Sequence, residues 1–338
     1  MLSRVADALF WLSRYTERAE NNARMVDVNL QTALDLQTVE NNPQIWESII
    51  FTLEDTKLFK KLYPAFTGDA VVDFVTFERK NPNSICSCLA SARENARTVR
   101  EQISVEMWEQ INRLYLFFLS GEAKQMYQTS TYEFFKWILE GSQLFQGVTD
   151  ATMSHDEGWD FIRLGTFLER ADRTSRILDI KYHILLPSGE QVGGNIDTIQ
   201  WMAVLKSCSA LEPYRKHYRG QVVPWKVAEF LVTNLTFPRS IVFCVDSVDY
   251  SLHKITGVDR ADFQYKVEAE RLSGKLLADL RYITIEEIFD FGLHEYLDKM
   301  QLRLIEINNA IYKEFCEWLD EDSRAPEPGL EQLQEQTP

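Results

Sequence analysis

The sequence predicts an all-α protein of 338 residues, a compact multi-helix bundle. Three observations lead there. Pro43 is the first Pro and Gly68 the first Gly, so the opening run carries neither of the residues that break helices. Apolar residues then recur at three- and four-residue spacing along most of the chain. Strand signals are thin: "DAVVDFVTF" from Asp69 has strand character, but no partner hairpin is visible.

In order, the pattern predicts helices over 3–39, 44–54, 69–79, 84–101 and 104–119. The apolar stretch "LYLFFLSG" from Leu114 lies at the end of the last and is far too short to span a bilayer. The helix over 131–147 starts at Ser130 and Glu133, and that over 155–186 at Ser154 and Glu157. Both pairs have capping-box spacing, in which side chains satisfy the free N–H groups of the first turn. Between 186 and the next helix, "PSGEQVGGN" (187–195) reads as an internal linker. It is no phosphate loop, because no Lys-Ser/Thr follows and no strand precedes it. Helices follow over 195–216, 225–234 and 239–254, the last with Pro238 suited to the first helical position. Those over 260–281 and 285–319 complete the bundle, with Thr284 and Glu287 as a third capping box. One helical domain over 1–319 is expected, with 1–150 and 151–319 as pseudo-repeat halves. An acidic, disordered tail over 320–338 follows, rich in Asp, Glu and Pro.

Hydrophobic residues make up 45% and charged residues 26%, the balance of an ordinary globular protein. The net charge of −15 argues against non-specific binding to nucleic acid or to an anionic membrane surface. Five Cys without framework spacing suggest reduced thiols and a cytoplasmic protein. Arg4, Asp7 and Arg14 interrupt any signal-peptide apolar region.

The most informative feature is a repeat. "YTERAENNARMVD" from Tyr15 returns as "FLERADRTSRILD" from Phe167. The copies align Glu17 with Glu169, Arg18 with Arg170, Ala19 with Ala171, Glu20 with Asp172, Arg24 with Arg176 and Asp27 with Asp179. Such self-similarity points to duplication, or to two helices related by an approximate two-fold. On a helix at about 100° per residue, the acid, acid, Arg and acid of each copy fall on one stripe, and Arg18 and Arg170 point about a quarter turn off it. Glu20–Arg24 and Asp172–Arg176 are (i, i+4) pairs with the acid first, the favourable orientation. Exposed charges can be permuted almost freely, so repetition of type and spacing favours a partly buried network over a ligand site, and either over a solvated face.

Two basic features are candidate anion sites. Arg93, Arg97 and Arg100 in "SARENARTVRE" form one basic stripe, which the acidic stripes would neutralise; so would a carboxylate or phosphate ligand. Arg239 in "TFPRSIVF" is expected in the first turn of a helix, where the macrodipole disfavours a cation unless an anion or an acid from another helix lies beside it.

No metal site and no cofactor are expected. None of the five His has a Glu three residues before it, as a di-metal carboxylate bundle requires. Neither a nucleophile elbow, a zinc-protease helix nor a P-loop is present.

Together the two E-R copies, "SARENARTVRE" and "FPRS" resemble the bacterial alpha-E domain family, over nearly the whole chain to about Leu319. The resemblance implies an all-helical domain without established activity. It also implies association with a circularly permuted ATP-grasp protein and a transglutaminase-like protease, in a system that forms amide bonds or processes peptides. The family's E-R positions map onto Glu17, Arg18, Glu169 and Arg170. Two functions follow as alternatives. One is a non-catalytic helical partner of the ligase; the other is an enzyme whose paired Glu and Arg do acid–base work between the two E-R helices.

Overall fold

The computed structural model describes residues 1–35, 43–183, 194–262 and 264–317. Among them are sixteen α-helices and no strand. The first half runs α1 (Ser3–Asp35), α2 (Pro43–Thr52), α3 (Thr56–Leu62), α4 (Gly68–Thr76), α5 (Ile85–Thr98), α6 (Val105–Leu119), α7 (Glu122–Thr129) and α8 (Thr131–Thr152). The second runs α9 (Glu157–His183), α10 (Asn195–Ser207), α11 (Leu211–Tyr218), α12 (Pro224–Thr233), α13 (Ile241–Thr256), α14 (Glu268–Tyr282), α15 (Ile285–Phe291) and α16 (Leu293–Ile311).

Helices α1 and α9 carry the two charged copies and form the axis of the molecule. They pack on one another; α5, α8 and α10 also lie on α1, and α13 and α16 on α9. Side chains on every face of α1 are therefore buried, from Leu9, Leu12, Ala19 and Val26 to Glu17 and Glu20. A helix buried all round is central rather than amphipathic. The close approach of the pair is set by Gly165. A Cβ there would lie 2.1 Å from Ser13 Oγ and 2.3 Å from the Phe10 carbonyl oxygen. Ser13 and Gly165 occupy equivalent places in the repeat, so the crossing falls near the pseudo-symmetric point.

Several element boundaries differ from the sequence reading. "DAVVDFVTF" is helical: Thr67 caps α4 by accepting from the Ala70 N–H, and the Val and Phe side chains sink into the core. The helices α3 and α7 escaped notice because each is short and flanked by breakers, Pro64 after one and Gly121 (φ 87°) before the other. The span 195–216 is broken at Ser209, which has φ 53°, and 285–319 at Gly292, whose φ of 102° suits only glycine. The span 260–281 opens with a short 3-10 turn at Arg260–Asp262, and the helix proper begins at Glu268. Thr284 and Glu287 do exchange both capping-box bonds, and the Ser130 hydroxyl accepts from the Glu133 N–H. Ser154 does not cap α9; the Asp156 carboxylate instead accepts from the Gly158 N–H. Pro238 sits before the N-cap of α13, which is Ser240. The tail over 320–338 and the linker over 187–193 lie outside the described residues. No described helix is long and apolar enough to cross a membrane.

Candidate functional site

The two copies of the repeat meet through their Glu-Arg dipeptides, and the pairing is reciprocal. Arg18 of α1 grips Glu169 of α9 with two nitrogens, Nε to Oε1 at 2.7 Å and Nη2 to Oε2 at 2.9 Å. Arg170 of α9 lies on Glu17 of α1, Nε to Oε2 at 3.1 Å. Each acid thus takes the Arg of the other copy. The helical wheel left Arg18 and Arg170 beside the charged stripe; in three dimensions they are the bridge across it. A wheel shows which way a side chain leaves its own helix, but not which neighbour stands there.

Around this exchange the two acids differ. Glu169 is fully buried and accepts from three guanidinium groups. Besides Arg18, Arg14 reaches Oε2 through Nε (2.9 Å), and Arg173 reaches Oε1 through Nε (3.2 Å). Burial alone would raise this carboxyl, but Arg18, Arg14 and Arg173 outweigh it and hold it well below the usual range. Glu17 takes Arg239 Nη1 at 2.7 Å and the side-chain amides of Gln146 (2.9 Å) and Asn21 (3.3 Å), in addition to Arg170. Glu20, one turn on, accepts from Arg239 Nη2 (2.8 Å), Gln146 Nε2 (2.7 Å) and Arg24. Burial opposes its charge, yet Arg239 and Arg24 bring its carboxyl down to about 2. Arg24 shares Glu20 with Arg239. Burial and then the like charge of Arg239 push it below the ordinary Arg range, and its Nη1 is buried without a partner.

Arg239 spends both its Nη groups inside the protein, on Glu17, Asn21 and Glu20. It lies just before the N-cap of α13, not in the first turn, and its acids come from another helix, Glu17 and Glu20. The Arg93 stripe does not meet the acidic stripes of α1 and α9. α5 packs on α1 through the small apolar face of Cys88, Leu89, Ala92 and Ala96, which turns its arginines outward. Arg93 pairs with Glu94 and Asn112 and lies over the Trp108 and Tyr115 rings. Arg97 pairs with exposed Glu94, and Arg100 lies over Trp108. The like charges are kept apart by aromatic faces and one local acid, so no distant carboxylate is needed.

The distal members of the stripes diverge. Asp172 holds Arg176 as the helical spacing requires, at 2.8 Å, and Arg176 also reaches Glu54. Asp27 accepts from Gln31, whereas Asp179 pairs with His294 of α16 at 2.7 Å. Arg14, Arg173, Gln146, Asn83 and Asn308 were not singled out from the sequence. Arg14 aligns with Thr166 and Arg173 with Asn21, so repetition carried no signal for them.

Two cavities flank the seam. One, of about 130 Å³, is lined by Glu17, Gln146, Arg163 and Arg170 with Trp159 and Phe167. The other, of about 260 Å³, is lined by Arg14, Arg18, Arg173 and Arg176, with Asn83, Asn308, Glu54 and Asp172. Among the described residues no group of three or more His, Cys, Asp or Glu side chains could hold a metal ion.

Fold and site define an all-α domain built on two helices that exchange Glu-Arg pairs. The chain belongs to the Alpha-E family, described as a predicted alpha-helical domain with a conserved ER motif, whose model matches residues 1–316. It is similar to an uncharacterised protein of Mycobacterium bovis, 24% identical over 275 residues that cover 75% of this chain and 30% of that one. An uncharacterised protein of Mycobacterium tuberculosis is 23% identical over the same length. The match thus spans less than a third of these relatives. No solved structure matches the chain.

Proposed function

We propose that this protein is a non-catalytic helical partner of an ATP-grasp-type amide ligase in a peptide-processing system. The observation that carries the non-catalytic part is the saturation of the seam's acids. A general acid or base must exchange a proton near the working pH. Glu169 is locked by three guanidinium groups with its carboxyl held well below the usual range, and Glu20 stands at about 2. Neither exchanges a proton near neutrality. The partner part rests on the family resemblance. It is supported by the long mycobacterial relatives, in which the matched region occupies only 30% of the chain and so stands beside much further sequence.

The enzyme reading retains one observation in its favour. The carboxylate of Glu17 borders the 130 Å³ cavity together with Arg170. Its oxygens are nevertheless shared among Arg170, Arg239, Gln146 and Asn21.

Co-purification with a circularly permuted ATP-grasp protein from the same genome tests the proposal. Association that survives gel filtration, with or without ATP and magnesium, is the expected result. Absence of association under both conditions overturns it.

A further inference from the structure

The 260 Å³ cavity between α1, α9 and α16 has a wall unlike the rest of this acidic protein. Four arginines line it, Arg14, Arg18, Arg173 and Arg176, against two acids, Glu54 and Asp172. Glu169 lies fully buried beneath Arg14, Arg18 and Arg173, and the side-chain amide of Asn83 donates to Asp55. Most guanidinium donors are spoken for. Arg18 is spent on Glu169 and the side-chain Oδ1 of Asn83, Arg14 on Glu169 and the side-chain Oδ1 of Asn308, and Arg176 on Asp172 and Glu54.

Arg173 is the exception. It is only 7% exposed, yet its one hydrogen bond runs from Nε to Glu169. Neither Nη finds an acceptor among the described residues, and neither is sealed away among the buried unpartnered atoms. Its outer fork therefore opens on the cavity. The guanidinium is anchored to Glu169 on its inner side, and its outer planar fork, which meets no protein acceptor among the described residues, has the geometry that fits an oxyanion. Glu54 gives the second indication. It sits at the mouth with its side chain 69% exposed, reaches in to Arg176, and has a left-handed backbone (φ 58°) unusual for Glu. An exposed carboxylate on a turn already occupies one of the cavity's cations and can yield it to a ligand.

We propose that this cavity binds a small dianionic oxyanion, a phosphoryl group or a dicarboxylate, through the free fork of Arg173 and through Arg176, with Glu54 as the displaceable internal competitor. Asn83 and Asn308 flank the ligand and hold Arg18 and Arg14 in place. The site stands independently of any protein partner.

Calorimetric titration of the full chain with inorganic phosphate, and separately with glutarate, tests it. Saturable binding of either probe is expected, and the tighter one identifies the source of the anion. Arg173→Gln keeps two of the three arginines on Glu169 and weakens binding about tenfold or more. Glu54→Gln changes an exposed side chain and strengthens binding, by roughly two- to fivefold. If Arg173→Gln fails to fold, the sign of the Glu54→Gln effect decides alone. No saturable binding of either probe, binding indifferent to Arg173→Gln in a folded variant, or weaker binding in Glu54→Gln would overturn the proposal.

Discussion

Replacing Glu169 by Gln removes one charge and almost no volume. The wild-type carboxylate accepts from Arg14 (2.9 Å), from Arg18 twice (2.7 and 2.9 Å) and from Arg173 (3.2 Å), with no exposure to water. The variant leaves three guanidinium groups around a neutral amide whose own N–H group must face a donor. Removing one partner of a buried ion pair costs about 3–5 kcal/mol, mostly because the other charge stays buried and uncompensated. The upper end applies here, since three cations lose their anion together. With an unfolding entropy of about 2 cal/mol/K per residue, a domain of this size then loses roughly 5–8 °C in Tm. Differential scanning calorimetry reads the change directly. The control is Arg97→Gln, which breaks the pair between Arg97 and Glu94 on the surface, where both side chains are more than half exposed. That change costs at most about 0.5 kcal/mol. A Glu169→Gln variant no less stable than Arg97→Gln would refute the claim that the seam is a buried, interdependent network.

Other outcomes follow from the same geometry. Gly165→Ala drives a Cβ to 2.3 Å from the Phe10 carbonyl oxygen, a backbone atom that cannot step aside, so denaturant titration should show a loss of about 3 kcal/mol or more. The Glu20 carboxyl lies at about 2 in the folded chain and near 4.3 in the unfolded one, so on acidification the unfolded state takes the proton first. Its contribution is complete above the unfolded value and is lost as pH falls from there toward 2; Glu20→Gln should flatten that limb of the stability curve. Asp7, Asp27, Asp55 and Asp160, raised by burial, act in the opposite sense, so the difference between variant and wild type is the quantity to read. Burial pushes the thiols of Cys88, Cys208, Cys244 and Cys316 up to about 12, 11, 12 and 12. A thiol reagent at about pH 8 should therefore label the half-buried Cys86 in the native protein and all five cysteines after denaturation. Mass spectrometry of the labelled chain distinguishes the two.

Much of the fold was legible because helix-forming periodicity is local. The long helices α1 and α9 announce themselves through unbroken spacing, and Thr284 with Glu287 caps α15 as its sequence requires. What escaped was decided by single residues acting on backbone shape, such as Ser209 and Gly292, which divide spans whose apolar pattern runs on. The site followed the same division. Repetition marked Glu17, Arg18, Glu169 and Arg170, but periodicity alone put the two arginines aside. Their reciprocal exchange depends on how α1 crosses α9, which Gly165 permits and no wheel displays. Arg14 and Arg173 were missed because each occurs in only one copy. The basic stripe of Arg93, Arg97 and Arg100 suggests distant acids or an anionic ligand, whereas Trp108, Tyr115 and Glu94 lie close by on α5 and α6. Matching charges by sign over long separations overlooked what the aromatic neighbours supply.

The central claim is that Glu169, the acid at the centre of the reciprocal Glu-Arg exchange, stays ionised in a buried network rather than serving as an acid–base group. Carbon-13 NMR of the protein labelled at the Glu side-chain carboxyl carbons tests it most directly, with the Glu169 signal assigned by its absence in Glu169→Gln. The account predicts that this signal stays at its ionised position as the pH is lowered through the ordinary Glu range near 4.3. A midpoint at or above that value would contradict it, and would return Glu169 to the groups able to exchange a proton in catalysis.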